Sequence, residues 1–128
     1  MAFYPVASKY GNKKVEIDGH VFDSRKEAKY YLYLKEKEKE GEISNIRLQV
    51  PFEIVPAVYE TQIVHMKTKD KEVNRCVQRA VHYIADFVYT VNDTGEDEVV
   101  DVKGWKTEGY RLKKKMMRAF NGIDIIEV

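Results

Sequence analysis

From Val77 to Val91 the chain is rich in β-branched and aromatic side chains, yet Asp86 interrupts it between Ala85 and Phe87. Such a run reads as one long strand containing Tyr83-Ile84-Ala85-Asp86-Phe87. A carboxylate in apolar surroundings is costly unless it is paired or holds a cation. The segment therefore demands a sheet to cover it and a polar partner for Asp86. Asn92-Asp93-Thr94-Gly95 follows as a turn, and Glu98 to Lys103 as the next strand. A hairpin through 92–97 lays Asp86 beside Asp101. Residues two apart on a strand share a face, so Asp101 and Lys103 are expected to project together.

The rest of the chain surrounds that hairpin with an α/β pattern. At 128 residues, a single domain spanning 1–128 is expected. Residues 1–14 are polar and basic, with Pro5 and Gly11, and read as a flexible arm. Val15 to Phe22 alternates around Asp18-Gly19 and reads as a β-hairpin. Asp23 or Ser24 caps a helix whose apolar stripe is Ala28, Tyr31, Leu32 and Leu34, and Gly41 stops it. Ile43 to Val55 is strand-like, with Pro51 marking an edge or a break. Residues 56–66 read as a further extended piece, and Lys67 to Asn74 as a loop without pattern. Thr107 or Glu108 opens a basic helix to about Ala119; Asn121-Gly122 ends it, and Ile123 to Val128 forms a last strand. The fold class expected is α/β with a mixed sheet. The final helix is a crossover, which makes the strands on either side of it candidates for parallel neighbours.

Charge is informative only in its distribution. There are 22 Lys and Arg against 21 Asp and Glu, a net charge of +1. Apolar residues at 44% support a core and exclude wholesale disorder. Lys13 and Lys14 mark the N-terminus, while Lys103, Lys106, Arg111, Lys113, Lys114, Lys115 and Arg118 crowd the C-terminal quarter. That segregation permits a basic face on a neutral protein. The lysine run 113–115 reads either as a solvated face or as phosphate contacts. Consecutive helical residues point about 100° apart, so all three cannot touch one phosphate. Lys115 or Arg111 is the candidate to reach an active site. The lone Cys76 excludes an internal disulfide, and no apolar run approaches the length of a membrane span. A cytoplasmic protein without membrane partners is expected. His20, His65 and His82 lack zinc-ligand spacing.

Asp86, Asp101 and Lys103 together suggest chemistry. Hard carboxylate oxygens suit Mg²⁺, which keeps several of its waters. A metal so held neutralises phosphoryl oxygens and acidifies an attacking water, while the lysine positions or deprotonates it. Asp-x-Lys alone also reads as a cross-strand ion pair that keeps an edge soluble. Glu27 alone reads as the capping-box partner of Ser24. Trp105 is expected to be partly buried, and Tyr30, Tyr31 and Tyr33 to pack on the first helix.

The blocks Phe22-Asp23-Ser24-Arg25-Lys26-Glu27-Ala28, Gln49-Val50-Pro51-Phe52, Ala85-Asp86-Phe87 and Asp101-Val102-Lys103-Gly104 give the chain a wider likeness. It resembles the PD-(D/E)xK nuclease superfamily, especially its small phage-encoded Holliday-junction-resolvase-like members. The signature's proline before the first acid is Ala85 here. The resemblance implies a restriction-endonuclease-like αβββαβ core, with a mixed sheet flanked by helices and here an N-terminal β-hairpin. It implies that Glu27, Asp86 and Asp101 bind Mg²⁺, with Mn²⁺ able to substitute, and that Lys103 is catalytic. Gln49 is implied as a residue behind the metal site. Lys13, Lys14, Lys106, Arg111, Lys113, Lys114 and Lys115 are candidate DNA contacts. The implied activity is cleavage of branched DNA by a homodimer, in phage recombination or replication inside a bacterial host. Alternatives are a nicking, flap, restriction-type or transposase-like nuclease, or a non-catalytic DNA-binding accessory protein.

Overall fold

The computed structural model describes residues 4–6 and 14–128. The expected flexible arm falls largely outside them. Over the described residues the protein is mixed α/β, with two helices and a four-stranded mixed sheet. Strands β1 (Tyr4–Val6), β2 (Lys14–Ile17) and β3 (His20–Phe22) form a three-stranded antiparallel sheet. The β2–β3 turn is Asp18-Gly19, both at positive φ (53° and 79°), the geometry that matches strand twist in a two-residue hairpin.

Helix α1 (Arg25–Lys39) starts where expected. Ser24 is extended and its side chain accepts from the Glu27 N–H at 3.1 Å, satisfying one otherwise orphan donor. Its inner face is Ala28, Tyr31 and Leu34, all buried. Gly41, at φ 78°, turns the chain out of the helix.

Strands β4 (Ile43–Val55), β7 (Val81–Val91), β8 (Asp97–Asp101) and β9 (Ile125–Glu127) lie in the order β4-β7-β8-β9. Pro51 lies within β4, an edge strand, which tolerates a missing donor. The β7–β8 pairing is antiparallel, and β8–β9 is parallel across helix α2 (Glu108–Asn121), the crossover expected. Thr107 caps α2 and Gly122 closes it at φ 66°.

Residues 67–80 differ from the expected loop and long strand. Lys67 to Asn74 is not a loop: β5 (Val58–His65) and β6 (Asp70–Gln78) pair as a two-stranded antiparallel ribbon. The long strand starts at Val81, not Val77, because Val77 and Gln78 belong to β6. Polar side chains in this ribbon hide the alternation, because almost every position faces solvent.

The chain separates into two compact units. The first comprises residues 1–50, 85–106 and 125–128; the second comprises 51–84 and 107–124. The core of the first gathers Val15, Ile17 and Phe22 of the hairpin with Ala28, Tyr31 and Leu34 of α1 and Phe87, Tyr89 and Val100 of the sheet. Phe22 stacks on Phe87 with ring centroids 6.2 Å apart, and Tyr30 leans on Phe87 at 5.5 Å. Burying these aromatics contributes about 2–3 kcal/mol each before entropy is counted. Asn92 fastens the β7–β8 turn to the end of α1, donating from Nδ2 to the Gly41 carbonyl and from its N–H to that of Glu42. The second unit holds the ribbon and α2, with Tyr83 against Tyr110 and Asn121 donating to the Glu53 carbonyl at 3.1 Å. Among the described residues, no helix is long and apolar enough to cross a membrane.

Candidate active site

The β7–β8 register fixes the centre of the site. Phe87 lies opposite Val100 and Val88 opposite Val99, so Asp86 and Asp101 are the next facing pair. The Asp101 carboxyl lies close enough to Asp86 to help hold its pKa above the usual carboxylate range. Asp86 Oδ2 accepts from the Val102 N–H at 2.8 Å, and Oδ1 from Gln49 Nε2 at 3.3 Å. Among the described residues Asp101 is the buried charged one, 1% exposed. Lys103 lies beyond the end of β8, yet its Nζ comes within 3.2 Å of Asp101 Oδ1. Asp101 and Lys103 thus lie close together, as their spacing predicts, although the strand ends at Asp101.

Two backbone links hold this corner. Val128 donates to the Asp101 carbonyl and Lys103 donates to the Val128 carbonyl, both at 3.1 Å. Lys26 on α1 donates from Nζ to the Lys103 carbonyl at 2.9 Å. Lys26 was not singled out from sequence, since a surface lysine beside Glu27 carries no signal of its own.

Glu27 faces the same cluster from α1. Its pKa is pushed from 4.5 up to about 7, mainly by burial, then by the negative charges of Asp86, Asp23 and Asp101; Lys103 partly offsets them. Burial also raises Asp86, and the Asp101 charge adds to it, while the Val102 N–H and Gln49 pull the other way. Three acids and one lysine thus come together from α1, β7, the end of β8 and the segment after it. Such an arrangement stores negative charge that a proton or a cation relieves.

Gln49 is placed by an unusual backbone. Its φ is 51°, and Asn45, four residues earlier on β4, has φ 54°. Non-glycine residues at such angles are uncommon and concentrate at functional sites. Next to Gln49 lies an open cavity of about 400 Å³, lined also by His20, Val21, Phe22, Ile46 and Leu48.

The remaining sequence candidates among the described residues fall in both units. Lys13 lies outside the described residues. Lys14 sits 3.9 Å from Asp23, and Lys106 pairs with Glu127 at 3.2 Å. Arg111, Lys113, Lys114 and Lys115 lie on α2, within the second unit. Trp105, expected to be partly buried, is 83% exposed. Tyr31 is buried and Tyr30 half-buried, but Tyr33 is exposed.

Among the described residues, no three His, Cys, Asp or Glu side chains form a ready cage for a metal ion. The Asp86–Asp101 pair still suits Mg²⁺, which is commonly held by one or two carboxylates and otherwise by water. Softer metals that want thiolate or imidazole find no such donors in this set.

Fold and site together define an α/β protein with a carboxylate–lysine cluster on the two inner strands of a mixed sheet. The chain matches, over residues 7–124, the family described as a protein of unknown function, DUF1064, and belongs to it. No curated protein and no solved structure matches it.

Proposed function

We propose that this protein is a divalent-metal-dependent DNA endonuclease of the PD-(D/E)xK type. The observation that carries the reading is the Asp86–Asp101 pair with Lys103 Nζ 3.2 Å from Asp101 and Glu27 facing it from α1. The restriction-endonuclease-like core implied by sequence agrees with the element order α1, β4, β7, β8, α2, β9, with the ribbon inserted after β4.

Asp86 and Asp101 would hold the metal, with Glu27 completing the set. Bound Mg²⁺ supplies Lewis acidity toward a phosphodiester and lowers the pKa of a water. The protein's own groups do the rest. The Val102 N–H and Gln49 fix the Asp86 carboxylate, so its oxygens need not reorganise. Lys103, anchored through its backbone by Val128 and Lys26, presents its ammonium where charge accumulates on phosphorus-bound oxygens. Glu27 is poised near neutral pH to give up its proton as a cation arrives. Branched DNA is the proposed substrate. Two symmetric cuts at a junction need two sites, hence a homodimer.

The test is cleavage of a substrate panel, four-way junction, flap, nicked and linear duplex, with Mg²⁺ and with EDTA. Mg²⁺-dependent cutting abolished in Asp101→Asn and in Lys103→Ala is expected. Absence of cutting on every substrate with Mg²⁺ or Mn²⁺ would overturn the reading.

A further inference from the structure

The β5–β6 ribbon carries a charge pattern that only its register makes visible. Facing residues of an antiparallel pair point to the same side, and successive residues alternate. The pairs Glu60–Arg75, Gln62–Val73 and Val64–Lys71 therefore line one face. The turn closes with the Met66 N–H donating to the Lys69 carbonyl at 2.9 Å, which continues that face through Met66 and Lys69. The other face takes Tyr59–Cys76, Thr61–Asn74, Ile63–Glu72 and His65–Asp70. Lys69, Lys71 and Arg75 thus share one side, where Glu60 faces Arg75 and leaves three cations to one acid, while Asp70 and Glu72 take the opposite side. On the acidic side, Asp70 is already engaged by His65 at 2.8 Å.

The three cations are exposed, whereas Val64 and Val73 between them are half-buried. Apolar stems of long cationic side chains cover such residues while the charged heads stay in water. Along the strand, Lys69 and Lys71 stand about 7 Å apart and Lys71 and Arg75 about 13 Å. A two-stranded ribbon of this kind is narrow enough for a DNA groove. A hairpin exposed on nearly every residue is only marginally stable alone, so a partner surface adds what it lacks.

We infer that the Lys69–Lys71–Arg75 face of this ribbon is a DNA-backbone-binding surface, separate from the carboxylate cluster in sequence and in role. The inference rests on the DNA reading for its ligand but not on catalysis. Cations at this spacing would contact successive phosphates and would position the duplex rather than read its sequence.

The experiment uses the full chain and a fluorescein-labelled duplex in EDTA, with anisotropy measured from 50 to 300 mM salt. The triple variant Lys69→Gln, Lys71→Gln, Arg75→Gln is compared with Asp70→Asn, Glu72→Gln on the opposite face. The expected result is at least a tenfold loss of affinity for the triple variant. Its log K against log salt should flatten by about 2 to 3, one unit per lost phosphate contact. The acidic-face variant should bind as tightly as wild type or tighter. Circular dichroism confirms that both variants fold; the single charge reversal Lys71→Glu serves if the triple variant does not, and should alone weaken binding. Wild-type affinity and slope in a folded triple variant or in Lys71→Glu would sink the inference, as would a variant that alters only self-association. If wild type binds no duplex, this inference falls, whereas the nuclease reading is judged separately by the cleavage panel.

Discussion

Asp86 Oδ2 accepts a hydrogen bond from the Val102 N–H at 2.8 Å, so the carboxylate of one strand is held by the backbone that leads to Lys103. The bond explains how an acid survives in β7 among buried neighbours. It also ties Asp86 to the residue that precedes Lys103. Asp86→Asn keeps the volume, but its amide can turn an N–H toward the Val102 donor. On the proposed function, Asp86→Asn should cut plasmid nicking by at least a hundredfold while duplex binding in EDTA changes less than threefold. Equal rates in a nicking assay would remove Asp86 from the machinery.

Glu27 makes a signed prediction about pH. Its folded-state pKa, about 7, is above its ordinary 4.5, so the folded protein holds the proton more tightly than the unfolded chain does. The ionised form therefore costs stability, a penalty absent below pH 4.5 and growing as pH rises through 7. Glu27→Gln removes the charge and should raise Tm at pH 8 relative to wild type. The gain should be on the order of 1 to 2 kcal/mol after discounting for the solvent that reaches this half-buried side chain. At pH 4 the two proteins should melt together. A gain of the same size at both pH values would show that the charge is not its cause.

Metal should act through the same group. A ligand bound only by the folded state raises stability, by about 2.7 kcal/mol at a hundred times its Kd. Saturating Mg²⁺ in place of EDTA should raise Tm at pH 8, and less at pH 6, where Glu27 must first release its proton. Asp86→Ala should erase most of the shift. A Mg²⁺-induced shift that survives in Asp86→Ala would place the ion elsewhere.

Gln49 separates strain from contact. Left-handed backbone costs a side-chain-bearing residue about 1 kcal/mol that glycine does not pay. Gln49→Gly and Gln49→Ala both delete the amide that reaches Asp86, but only glycine relieves φ 51°. In urea denaturation, Gln49→Gly should be more stable than Gln49→Ala by about 1 kcal/mol, with both impaired equally in cleavage. An alanine variant as stable as the glycine one would mean the angle relaxes freely.

Much of this was legible in the chain. Ser24, Gly41, Thr107 and Gly122 delimit the helices because caps are chemical events confined to one or two residues. The Asp18-Gly19 hairpin and the parallel β8–β9 pair follow from turn and crossover geometry. The proximity of Asp101 and Lys103 follows from their spacing. The extended piece expected over 56–66 is β5, but β6 was hidden because it lacks the apolar alternation that a half-buried strand shows. Glu27 needed the family likeness, since a helix-cap role accounts for it equally well. Trp105 misled because a large aromatic near a core is expected inside, and the bend after Gly104 leaves it 83% exposed. Gln49 owes its reach to a backbone angle that no residue pattern announces.

Val128 bridges Asp101 and Lys103 through its own backbone, giving to one and taking from the other. The last strand is therefore a clasp on the reactive corner rather than a trailing edge. Breaking these two bonds would free the segment that carries Lys103 from the chain beside it.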